Sequence, residues 1–339
     1  MCETPLPGRR EVLDLLPAPE AVIPGLPEAE LCFTAKAIGL EDSAWLLAHA
    51  TPEQVVACVD LDAWSSEDLV PDRSRLGVWM SALAQAGEEA LLGAARSLDP
   101  ELLVLWLKDR IEVWLKPNDD DWEPPPGAQS LDGQFFFRAR KEGDDLADLR
   151  MFLDALFRED YWIYFRMLQG TTWELDSETE DWALRWRTGR LLDLGFPSWE
   201  EAMAIYGVLP ERALAELPEA APVAEEVSWR LPIWMPRLPV SSASTHALYR
   251  ALAGLGDAER RPQLLAFLSL ANRVAVADRL PLGDADSIPV AVEKAAELVS
   301  RGLEHVAAAR GMAVTDVLRC SSLLRLFRVG FTLERAAPK

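Results

Sequence analysis

Proline followed by glutamate recurs at near-regular intervals through the first third of the chain, in Leu26-Pro27-Glu28, Thr51-Pro52-Glu53 and Asp99-Pro100-Glu101. Each reads as a helix start. Proline is tolerated at the first helical position because the N–H it lacks would have no partner there. Thr51 and Asp99 are good N-cap residues, and a glutamate in the first turn suits the positive end of the helix dipole. Pro52 lies 25 residues after Pro27 and Pro100 a further 48, so another start is expected near Leu76. This spacing predicts stacked helical hairpins of ~24 residues each, which offer an extended binding surface more readily than a catalytic pocket. Ordinary helices with evenly spaced turns are the alternative.

Three units fit the interval. The first runs from Pro27 to about Ala50, with turn acid Glu41; the second carries the stripe Val55, Val56, Val59 and turn acid Glu67; the third carries Leu76, Val78, Trp79, Leu83 and turn acid Glu88. A longer helix follows Asp99, and its run Leu102–Leu107 is apolar all round, which implies burial on several sides. Ile111–Leu115 either continues that helix or pairs as a strand with Phe135–Phe137 across the Pro124-Pro125-Pro126-Gly127 loop. Leu149, Phe152, Leu153, Leu156 and Phe157 mark an amphipathic helix, and Ser198 with Glu201 reads as a capping box. The expected fold is mostly α: stacked short helical hairpins forming a superhelix, then an irregular helical body with one small β-hairpin. The expected divisions are a helical-repeat module at 1–117, an acidic and proline-rich loop with the hairpin at 118–140, a central helical region at 141–216, a proline-rich linker at 217–240 and a C-terminal helical region at 241–339.

Charge limits the function classes. Lys plus Arg number 34 against 55 Asp plus Glu, a net charge of −21. Such a surface repels phosphate backbones and anionic membranes, so nucleic acid is not an expected partner. It favours a basic protein partner, although an acidic bacterial cytosolic surface needs no partner at all. No apolar run approaches the ~18–20 residues of a membrane span. Met1-Cys2-Glu3-Thr4-Pro5 has no basic region before an apolar stretch, so a secretion signal is not expected. Cys2, Cys32, Cys58 and Cys320 are too scattered for a zinc or disulfide framework, and a reducing cytoplasm is the expected compartment.

Few residues suggest chemistry. His49, His246 and His305 lack a second ligand at metal spacing. Asp119-Asp120-Asp121 and Asp284-x-Asp286 could hold a hard cation, but charged loops and helix caps explain both, and Asp286 reads as an N-cap. No catalytic residue, metal or cofactor is expected. The densest polar group is Arg185, Trp186, Arg187 and Arg190, which could clamp a carboxylate or phosphate. Asp176, Glu178, Glu180 and Asp181 just upstream could simply pair with those arginines, and structural ion pairing is the expected use. Most of the 13 tryptophans fall at helical spacing and are expected in the core, although tryptophan is also enriched at binding hot spots.

Arg185-Trp186-Arg187-Thr188-Gly189-Arg190-Leu191-Leu192-Asp193-Leu194-Gly195-Phe196-Pro197-Ser198 and Phe327-Arg328-Val329-Gly330-Phe331 resemble an uncharacterised bacterial family, a domain of unknown function. The resemblance runs from about Glu11 to Leu333 and brings no activity or site residues. The Pro27–Ser97 units are similar to the cytoplasmic helical superhelix of MgtE-type magnesium transporters and flagellar switch proteins. The leading expectation is a non-catalytic cytosolic helical scaffold or adaptor that binds another protein. The alternative is a ligand sensor or enzyme with an anion pocket around Arg185, Arg187 and Arg190.

Overall fold

The computed structural model describes residues 18–119, 121–141, 146–217 and 238–336. Asp120, Cys2 and nearly all of the proline-rich 217–240 segment lie outside them. The fold is mostly α-helical, with a single two-stranded antiparallel sheet among the described residues. The chain forms two compact units, divided between Arg190 and Leu191.

The first unit begins with α1 (Pro19–Val22), α2 (Glu28–Ile38), α3 (Ala44–Leu47), α4 (Pro52–Asp62), α5 (Arg73–Ala86), α6 (Glu88–Ser97) and α7 (Pro100–Arg110). The regular starts are real, yet each is closed by different chemistry. Thr51 forms a complete capping box with Gln54: Thr51 Oγ1 accepts from the Gln54 N–H at 3.2 Å, and Gln54 Oε1 accepts from the Thr51 N–H at 2.9 Å. The Gln54 amide also donates to the carbonyls of Ile23 and Leu26, tying α4 to the segment that precedes α2. Pro27 is the N-cap itself, with extended backbone, and not the first helical residue. The start expected near Leu76 lies at Arg73, where Asp72 Oδ1 accepts from the Arg75 N–H at 2.9 Å. Asp99 occupies the N-cap position but caps nothing with its side chain.

The second repeat departs from a helical hairpin. After α4, the chain turns back through Leu69, whose φ of 58° is left-handed, and Trp64 pairs antiparallel with Pro71. That bridge leaves no room for a second helix before the proline, which cannot donate to a helical ladder.

Strand pairing decides the ambiguous Ile111–Leu115. It is β1, antiparallel to β2 (Phe135–Ala139), in a register from Ile111↔Ala139 to Leu115↔Phe135. Ile111, Phe135 and Phe137 are buried, as alternating apolar residues on one face require. Asp132 starts β2 by accepting from the N–H groups of Gln134 and Phe135. The unit ends with α8 (Ala147–Glu159), α9 (Tyr161–Trp173) and α10 (Asp176–Asp193), the last crossing the division. Leu102–Leu107 of α7 is buried throughout, and Leu149, Phe152, Leu153 and Leu156 line the inner face of α8.

Asp62 fastens the repeat helices together. Its nearly buried carboxylate accepts from Lys36 Nζ at 2.6 Å, from Arg75 Nε at 2.8 Å and from Trp79 Nε1 at 2.9 Å. Burial alone would push its pKa up; the hydrogen bonds from Arg75 and Lys36 outweigh that and hold it below the ordinary value. Its contribution to stability is therefore complete above the unfolded aspartate value of about 4 and is lost as pH falls through the lower folded value. Asp62→Ala is expected to cost about 3 kcal/mol at neutral pH and to flatten the acid limb below about pH 4. Urea unfolding at a series of pH values checks both.

The second unit contains α11 (Trp199–Met203), α12 (Ala247–Ala253), α13 (Asp257–Ala277), α14 (Ser287–Arg310), α15 (Val314–Cys320) and α16 (Leu323–Ala336) around one core. Ser198 caps α11 through the Glu201 N–H at 3.3 Å. Asp286 stands at the N-cap position of α14 without a side-chain cap. α14 and α16 run antiparallel in backbone contact: a β-carbon at Gly302 would overlap the Leu326 carbonyl, and one at Gly330 would overlap the Leu298 carbonyl.

Candidate functional site

α10 presents two faces with opposite chemistry, because residues three or four apart in a helix share a side. Thr179, Ala183, Arg187 and Arg190 point inward; Glu178, Trp182, Arg185 and Trp186 point outward. The arginine–tryptophan group singled out in the sequence is thus split.

On the inner face, the Arg187 side chain donates to the Asp60 carbonyl at 2.7 Å, and its guanidinium lies 4.7 Å from the Trp64 ring. Arg190 makes four hydrogen bonds to two carboxylates. Its Nε and Nη2 bind Asp60 at 2.6 and 2.9 Å, and its Nη1 and Nη2 bind Asp99 at 2.8 and 2.6 Å. This bond to Arg190 is why Asp99 does not cap its own helix. The electrostatics follow from burial. Desolvation raises the Asp60 carboxyl despite the pull of Arg190, and lowers Arg187 to about 10. Burial would likewise lower Arg190, but its hydrogen bonds to Asp60 and Asp99 hold it above the ordinary range. A ligand anion at Arg190 would have to displace two carboxylates already in bidentate contact.

Two of the four upstream acids serve other cations. Asp176 and Glu180 both accept from Arg73 at 2.8 Å, and Lys108 donates to Asp176 at 2.9 Å and to the Glu174 carbonyl. At 1.5 Å rise per residue these acids stand ~10–21 Å along the axis from Arg187 and Arg190, too far to pair. Arg73 and Lys108 therefore fix the start of α10, while Asp60 and Asp99 fix its end. The sequence reading passes over Asp60, whose signal is a charge inside the apolar Val55–Leu61 run, and takes Asp99 for an N-cap.

The outer face differs. The rings of Trp182 and Trp186 stack with centroids 6.4 Å apart and an interplanar angle of 25°, and the Arg185 guanidinium lies 4.9 Å from the Trp182 ring. Trp182 is 49% exposed and Trp186 53%. Trp173 and Leu175, at the corner before α10, are exposed as well. Large apolar side chains held on the surface as a group are a mark of interaction sites.

The other residues read from the sequence form no site together. His246 contacts Glu293 at 2.9 Å and packs edge-on to Tyr249; Asp119 accepts from the Asp121 N–H within its own loop. Among the described residues no group of three or more His, Cys, Asp or Glu is placed to hold a metal ion. Cys32 and Cys58 are buried on the packed pair α2 and α4, and Cys58 is raised by that burial and by its contact with Cys32, as for inert core thiols. No helix is long and apolar enough to cross a membrane among the described residues.

Fold and site together define a mostly α-helical protein of two compact units, with an ion-paired helix at their sequence boundary that carries an exposed tryptophan pair. A family model described as a family of unknown function, DUF6178, matches residues 6–337, so the chain belongs to that family. No curated protein and no solved structure matches it, which leaves the likeness to the MgtE-type superhelix unsupported.

Proposed function

We propose that this chain is a non-catalytic, cytoplasmic scaffold or adaptor that binds another protein through the first unit. The observation that carries the reading is the stacked, half-exposed Trp182–Trp186 pair on a helix whose opposite face is locked by Arg73, Lys108, Asp60 and Asp99. Burying large rings in a partner is favourable, and a rigid footing lowers the ordering cost of doing so. The competing anion-pocket reading asks Arg187 and Arg190 to leave partners they already hold, and leaves Arg185 as the surface arginine.

The test is affinity capture from native lysate, with the tagged wild-type chain beside Trp182→Ala/Trp186→Ala. A protein recovered in near-stoichiometric amount by wild type, and reduced about tenfold or more by the double variant, supports the reading. Recovery of no such protein at low and moderate salt, or equal recovery by both chains, overturns it.

A further inference from the structure

We infer that the outer face of α10 docks a basic amphipathic segment of the partner, one that sets lysines or arginines beside aliphatic side chains; this rests on the protein-binding reading above. The chemistry follows from which charges on α10 remain after its internal pairing. Arg187 and Arg190 are turned inward to Asp60 and Asp99, and Asp176 and Glu180 to Arg73 and Lys108. On the outer face, Arg185 lies against Trp182, while Glu178 and Asp181 stand exposed and make no ion pair among the described residues. Glu178 is one turn before Trp182 and so shares its side of the helix, and Asp181 is one turn before Arg185, whose guanidinium lies against the Trp182 ring.

The complement of this surface is apolar at the centre and cationic at the rim. Indole faces accept both aliphatic carbons and cations, and the stems of Lys and Arg pack on apolar surface while their charged ends reach the carboxylates. The net charge of −21 adds attraction at longer range and works against phosphate-bearing surfaces. An acidic or purely apolar segment would leave Glu178 and Asp181 facing like charge or desolvated without a partner.

The probe is a synthetic helical peptide of about 18 residues, matched to the length of α10, with Leu and Lys at helical spacing. Its counterpart carries Glu for Lys. Calorimetric titration at about 150 mM salt is expected to show binding of the Lys/Leu peptide alone. Trp182→Ala/Trp186→Ala is expected to weaken binding about tenfold or more, and Glu178→Lys/Asp181→Lys about fivefold. Trp162→Ala, which removes an exposed indole from α9, should leave it unchanged. The Glu178/Asp181 variant alters exposed residues only, and so keeps the test decisive should the tryptophan variant fold poorly. Equal binding of the Glu/Leu peptide, undiminished binding in both double variants, or an equal loss in Trp162→Ala would overturn the inference. If a captured protein depends on Trp182 and Trp186 while the Lys/Leu peptide does not bind, the basic chemistry falls and the protein-binding reading survives. If capture fails too, both fall.

Discussion

Arg190→Met is expected to lower the stability of the first unit by about 3–5 kcal/mol, because it leaves the buried Asp60 carboxylate without its bidentate cation. The deficit should depend on pH. Burial already pushes Asp60 up, and the hydrogen bonds of Arg190 are the strongest pull in the other direction. Without them the folded value rises further above the unfolded one. The penalty is then full at pH values above the folded pKa and shrinks as pH falls through it, since the folded state holds the proton more tightly. Denaturant unfolding of wild type and variant between pH 8 and about pH 5 would show the gap narrowing on the acid side. Replacing Asp60, Asp99 and Arg190 together by apolar residues of similar size should recover most of the loss, as buried ion groups often allow. An Arg190→Met protein as stable as wild type at neutral pH would contradict the structural role and favour a ligand role, for which stability is commonly sacrificed.

The second large effect is expected in the other unit, where α14 and α16 touch backbone to backbone. Gly302→Ala and Gly330→Ala each place a methyl group against a carbonyl of the facing helix, at Leu326 and Leu298. Neither obstacle is a flexible side chain, so the helices must separate and open voids in the core around Leu303, Leu326 and Phe327. Each substitution is expected to cost about 3 kcal/mol, the upper end of overpacking penalties. The double variant should cost less than the two singles combined, because helices moved apart for one methyl group admit the other. Gly93→Ala on α6 has open space at the new carbon and should be neutral or gain up to about 1 kcal/mol. Thermal unfolding with amide exchange across 287–310 and 323–336 distinguishes these outcomes; wild-type protection in Gly330→Ala would refute the close crossing.

The helical class was legible because it rests on local rules. Thr51 with Gln54 shows the capping chemistry that its proline-bearing start implies, and Asp72 with Arg75 supplies the same chemistry at the start the interval placed near Leu76. The run Leu102–Leu107 showed its all-round burial directly. Ile111–Leu115 was undecidable locally, since its strand character comes from a partner some 24 residues away in the register. The same holds for the arginines. Their spacing on α10 could be read, but Asp60 and Asp99 lie 130 and 91 residues distant in the chain, and no periodicity links them. Gly330 could be seen in the sequence as part of a distinctive block, but its reason, the carbonyl of Leu298, is purely tertiary.

Oxidative footprinting of the tryptophans, read by mass spectrometry on the chain alone and on the chain recovered with its captured partner, tests the central claim most directly. Trp182, Trp186 and Trp162 are all exposed in the chain alone and should oxidise readily. With the partner bound, protection is expected at Trp182 and Trp186, with Trp162 still reactive. Oxidation of Trp182 and Trp186 to the same extent in both samples would contradict a binding role for the outer face of α10.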